Sequence, residues 1–191
     1  MGLGELTGLL LATALGNSLV LAQGLGADRL LQPVPLADAA RHGTLTALVG
    51  VIVAGLAWLL QHFFLAPFAL DLYAPFALVL LVPAVTALVA QTLQRWRPGY
   101  AATQWLLIAC NSAVIAGAIA VQGQDRGFGA SLIVGLAYGG GFAACLLLLS
   151  GLEQRLQPQG APAAFRGLPL RLLNAGLLLL ACAGLDGIGR G

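Results

Sequence analysis

Long apolar runs separated by short polar stretches set the pattern of this chain. Six runs can be delimited: Leu6 to Leu25, Thr44 to Leu60, Leu72 to Leu93, Ala101 to Val121, Phe128 to Leu152 and Leu168 to Leu185. Each has the roughly 17–25 residues that a helix needs to cross a hydrocarbon core. Their apolar positions are continuous and do not alternate with period two, which predicts helices and not barrel strands. The stretch Ala27 to Gly43, with Asp28, Arg29, Asp38, Arg41 and His42, reads as a polar loop. A short connector with Pro67 and Asp71 follows the second run, and Glu153 to Gly167 forms the longest loop of the second half. Pro83 lies inside the third run and is expected to kink or interrupt it. Gly135, Gly139, Gly140 and Gly141 predict a small-residue face that lets another helix come close.

One polar intrusion occurs twice. Asn17-Ser18-Leu19-Val20 lies in the first run, and Asn111-Ser112-Ala113-Val114 in the fourth. Asparagine in hydrocarbon is costly unless its hydrogen bonds are taken up. Spans one and four stand three apart, and three is odd, so the halves (about 1–94 and 95–191 of a single 1–191 domain) have opposite orientation. The expected fold is an all-α integral membrane protein, six transmembrane helices in a 3+3 inverted-topology repeat. Spans one and four are expected to be broken at Asn17, Ser18, Asn111 and Ser112, where the side chains can satisfy freed backbone groups. In the plainer reading, the two asparagines simply bond neighbouring helices of a continuous bundle.

Composition agrees. The chain has 191 residues, 59% hydrophobic and 8% charged, against about 25% charged for soluble domains. The net charge of +2 gives no reason to expect nucleic acid. The N-terminus has no basic segment and carries Glu5, so the first run is expected to be a resident helix and not a cleaved signal. Arg29, Arg41, Arg95, Arg97, Arg155, Arg166 and Arg171 fall in or beside the odd-numbered loops; the other side has Arg126 and Arg190. Excess basic charge marks the cytoplasmic face, so both termini are expected on the non-cytoplasmic side. Arg171, at the start of span six, is expected to snorkel to the interface.

Catalytic chemistry is sparse. No Asp, Glu, Lys or Arg falls in the middle of a span, which leaves no carboxylate or lysine proton pathway. His42 and His62 sit at span ends or in loops and read as interfacial. Cys110, Cys145 and Cys182 are far apart in apolar runs and read as buried small residues, with no metal site expected. A Na⁺ site from carbonyls, Asn and Ser at the breaks stays open.

Three stretches carry a likeness. They are Glu153-Gln154-Arg155-Leu156 with Ala161-Pro162-Ala163-Ala164-Phe165-Arg166-Gly167; Asn174-Ala175-Gly176-Leu177; and Asn111-Ser112-Ala113-Val114. Together they resemble the A-type membrane component of the Rnf ion-translocating electron-transport complexes, a family kin to the matching component of the Na⁺-pumping NADH:quinone reductase. The resemblance implies a subunit of the bacterial inner membrane that pairs with a homologous sister subunit, within a complex of further subunits. It also implies a shared two-iron two-sulfur cluster near the membrane centre, with one cysteine from each half. Those positions fall at Ser112 and near Ala27 here, and no cysteine occurs in the first half. Cys110 lies two residues away, about 200° around a helix. The expectation is therefore a complex subunit with no iron–sulfur ligands of its own, serving as scaffold or in ion coupling. The alternatives are a stand-alone inverted-repeat transporter of a small solute or ion, and an assembly factor.

Overall fold

The computed structural model describes residues 35–96, 111–122, 127–156 and 167–189. The predicted first span, with Asn17, Ser18 and Ala27, lies outside the described residues, as do Cys110 and Arg166. Among the described residues all regular structure is helical: α1 (Leu36–Leu60), α2 (Ala74–Trp96), α3 (Ser112–Gln122), α4 (Phe128–Leu156) and α5 (Leu168–Gly189). Three helical stretches are long and apolar enough to cross a membrane: Leu36–Leu65, Asp71–Arg95 and Phe128–Leu156.

Helix α1 begins eight residues before the predicted span, inside the stretch read as a loop. Pro35 precedes it with extended backbone, and its carbonyl accepts the Ala39 N–H at 2.8 Å. Leu36, Ala37, Ala39 and Ala40 are good helix formers, and Asp38 lies in the first turn, where the helix dipole favours an acid. Charged residues end an apolar run, but they do not end a helix, and this one takes in Asp38 and Arg41. His42 is accordingly not in a loop: it lies within α1 and is only 4% exposed. His62 does lie at the end of the span, in a π-helical turn (Gln61–Leu65), with its ring stacked on Trp58 at 4.9 Å.

The close contact of α1 with α4 organises the bundle. A Cβ placed on Gly139 would lie 2.5 Å from Ala47 Cα, and one on Gly135 2.5 Å from Ala54 Cβ and 2.7 Å from the Gly50 carbonyl oxygen. One on Gly43 would lie 2.8 Å from Ala143 Cβ. The two backbones are in direct contact along this seam, as the small-residue spacing predicts. The register runs one way: Gly43 faces Ala143, Ala47 faces Gly139, Ala54 faces Gly135, and Gly55 meets Leu132 and Phe128. The helices are therefore antiparallel, and Arg41 of α1 lies at the same end of the bundle as Arg155 of α4.

Beyond the π turn, Leu70 N–H returns to the Leu65 carbonyl and Ala69 adopts φ 52. Gln61 Nε2 donates to Asp71 Oδ1 at 2.6 Å, tying both ends of the connector. A 3₁₀ turn (Asp71–Tyr73) leads straight into α2. Helix α2 runs without interruption through Pro83. Packing holds it there: Val82 and Val85, on either side of the proline, are buried in a core with Leu78, Val89, Val49, Val53, Val114 and Ala118. Its other face exposes Phe76, Val79, Leu80 and Leu88, which suits lipid.

Helix α5 follows Gly167, whose φ of 83 favours glycine. Arg171 does not snorkel out. Its Nε donates to Glu153 Oε1, both side chains are mostly buried, and the pair ties the start of α5 to the end of α4. Ala175 and Leu178 add to a second core of Ala39, Ala113, Phe142, Leu146 and Leu149.

Three substitutions test this packing through stability in detergent. Gly139→Leu should destabilise by about 3 kcal/mol, because backbone and not a movable side chain stands in the way. Gly140→Ala, with nothing within 4 Å of its new methyl, should stay within about 1 kcal/mol of the parent. Equal melting temperatures for the two variants would contradict the seam. Glu153→Gln should cost about 1–3 kcal/mol by removing the carboxylate partner of Arg171, read as an earlier thermal transition.

Candidate functional site

The two sequence motifs singled out above fare differently. Asn17 and Ser18, with Ala27, are outside the described residues. Asn111 and Ser112 are described, and they form a helix start. Residue 111 is not helical and Ser112 opens α3. The Asn111 side chain caps this start: Oδ1 accepts the Ala113 N–H at 3.0 Å. Its carbonyl accepts from Val114 N–H at 3.1 Å and Ile115 N–H at 3.5 Å. Asparagine is among the best residues for this position because its oxygen reaches a first-turn N–H that has no partner within the helix.

The depth of this cap follows from packing. Gly117 of α3 lies against Tyr138 of α4, so close that a Cβ placed on the glycine would lie 3.1 Å from the tyrosine Cβ. Ala113 shares a core cluster with Phe142, and Val121 shares one with Val134 and Ala54. Thus α3 runs antiparallel to α4, and its first turn sits beside Phe142, midway between Phe128 and Leu156. Eleven residues make a helix of about 16 Å, roughly half of a ~30 Å hydrocarbon core. The start of α3 therefore lies near the middle of the longest helix, far from either end of the bundle.

The N-terminus of a helix carries partial positive charge. Asn111 is 2% exposed, and its Nδ2 has no hydrogen-bond partner among the described residues. Ser112, at the position the family resemblance gives to a cysteine, is half-buried at the first helical residue. Cys145 of α4 packs in the same core cluster as Ala113 and forms no disulfide. Among the described residues, no three His, Cys, Asp or Glu side chains converge as a metal would require.

Sequence reasoning passed over two features. Asn174 of α5 is buried, and its Nδ2 also lacks a partner among the described residues. The Glu153–Arg171 pair was foreshadowed only by opposite charges at either end of one loop.

Comparison with known proteins agrees with this architecture. The family described as "Rnf-Nqr subunit, membrane protein" matches residues 6–188. The protein named as the A subunit of the ion-translocating oxidoreductase complex in Azoarcus sp. (strain BH72) is 33% identical over 184 residues, covering 94% of this chain and 95% of its own. Its namesake in Syntrophotalea carbinolica is 33% identical over 186 residues, with the same coverage. That of Cereibacter sphaeroides (strain ATCC 17029) is 29% identical over 190 residues, 97% and 98% of the two chains. With apolar helices long enough to cross a membrane and a family match over nearly its whole length, this chain is a multi-pass membrane protein belonging to the Rnf-Nqr family.

Proposed function

We propose that this chain is the A-type membrane subunit of an Rnf-type ion-translocating oxidoreductase complex of the bacterial inner membrane, and that it contributes no cluster ligand of its own. The near-full-length likeness to relatives bearing that name carries the first part. Ser112 and the cysteine-free first half carry the second. Iron–sulfur clusters take thiolates, whereas the start of α3 carries an asparagine and a serine, Asn111 and Ser112. Neither Asn111 nor Ser112 supplies a thiolate, so a two-iron two-sulfur cluster does not fit them. In this reading the chain serves as a scaffold for a homologous sister subunit or in ion coupling. Arg41 and Arg155, at one end of the bundle, support a cytoplasmic odd-loop face with both termini opposite.

The stand-alone transporter is the competing reading, favoured by the serine at position 112. Purification from native membranes separates the two. The chain should bring down the other members of the complex, a homologous membrane subunit among them, and should contain no stoichiometric iron or acid-labile sulfide when stripped of them. Recovery only as an isolated homodimer would overturn the complex reading. Stoichiometric iron on the stripped chain would overturn the loss of ligands.

A further inference from the structure

The connector between α1 and α2 is crowded with exposed apolar side chains. Phe63, Phe64, Phe68, Leu72 and Tyr73 are each more than half exposed. Two features identify what covers them. Charge is scarce: no Lys or Arg lies between Arg41 and Arg95, and the one carboxylate in that interval, Asp71, accepts from Gln61 Nε2 at 2.6 Å. The backbone also closes on itself. Ala66 N–H donates to the Gln61 carbonyl, Ala69 N–H to Ala66, Leu70 N–H to Leu65 and Tyr73 N–H to Leu70, at 2.9–3.2 Å. Pro67 has no N–H to satisfy. A loop in water can leave such groups to the solvent, whereas a segment in lipid has to bond them internally.

Depth follows from helix rise. About twenty helical residues cross a ~30 Å hydrocarbon layer. Counted from the two arginines, that length ends near Gln61 on α1 and near Pro75 on α2. The residues between are the connector, so it lies in the boundary layer of headgroups and upper acyl chains, where aromatic rings are favoured. Phe76, 71% exposed, continues its apolar surface into the lipid-suited face of α2.

We propose that this connector is a phospholipid-docked anchor. Its Phe and Tyr rings pack among the lipids of the leaflet opposite the arginine end and hold the α1–α2 hairpin at fixed depth. Lipid fits this surface better than a protein partner does. Helices that meet in membranes use small or hydrogen-bonding residues, as the α1–α4 seam does; here bulky rings lead, and Gln61 and Asp71 are bonded to each other. The anchor does not rest on the complex reading, since the hairpin belongs to this chain alone.

Spin labelling of the protein as purified, with whatever subunits accompany it, tests this in phosphatidylcholine vesicles. A nitroxide is attached to Phe64→Cys, Leu72→Cys and, beyond the arginine at the opposite end, Ala37→Cys; the parent labelled in parallel gives the background of its own cysteines. All three sites are exposed, so a label there leaves the packing intact. Collisions with dissolved oxygen report lipid, and collisions with a water-soluble nickel chelate report water. The oxygen-to-nickel ratio should be about threefold or more higher at positions 64 and 72 than at position 37. A smaller difference puts the connector in water. Few collisions with either reagent at 64 and 72 put it under protein. Either result overturns the proposal.

Discussion

Direct contact between the backbones of α1 and α4 is the constraint on which the rest of the structure depends. In lipid, apolar side chains gain little by leaving other apolar groups, so helices associate through close packing. The α1–α4 seam reaches the closest form of it, with Gly135 and Gly139 set against the main chain of α1. Everything else is placed relative to that pair. Helix α2 returns beside α1 through the connector closed by Gln61 and Asp71, and α3 lies on both α1 and α4 through Ala113, Gly117 and Val121.

The mid-depth start of α3 is tolerable because of this frame. A helix end in hydrocarbon exposes several backbone donors at once. Asn111 answers for three of the first-turn N–H groups, one with its side chain and two with its carbonyl, and the α4 helix beside it shuts out solvent. The residue that stabilises this helix start also keeps a buried amide nitrogen without a partner among the described residues.

Much of this was legible in the sequence because the bilayer imposes simple rules. Run length located the spans that became α1, α2 and α4, and glycine spacing named the seam. Boundaries were less legible. Charge at Asp38, Arg41 and His42 suggested a loop, although helix geometry does not stop where the hydrocarbon does. Pro83 suggested a kink or an interruption; the helix is not interrupted, and burial of Val82 and Val85 offsets the missing hydrogen bond. Arg171 looked free to reach water because its partner, Glu153, is a loop away in sequence. The asparagine motif drew attention as a cost; that it caps a helix at mid-depth depends on the register of α3 against α4, a tertiary fact that no local pattern contains.

The seam also limits how this chain can diverge. Packing errors in most cores can be repaired by shrinking the neighbour that is in the way. At Gly139 the obstacle is the Cα of Ala47, which every amino acid possesses, so no second substitution opposite it makes room. At Gly135, trimming Ala54 to glycine would remove one obstacle and leave the Gly50 carbonyl oxygen. Drift at these positions has no compensating route within the pair of helices. Room for change lies on other faces, such as the exposed side of α2.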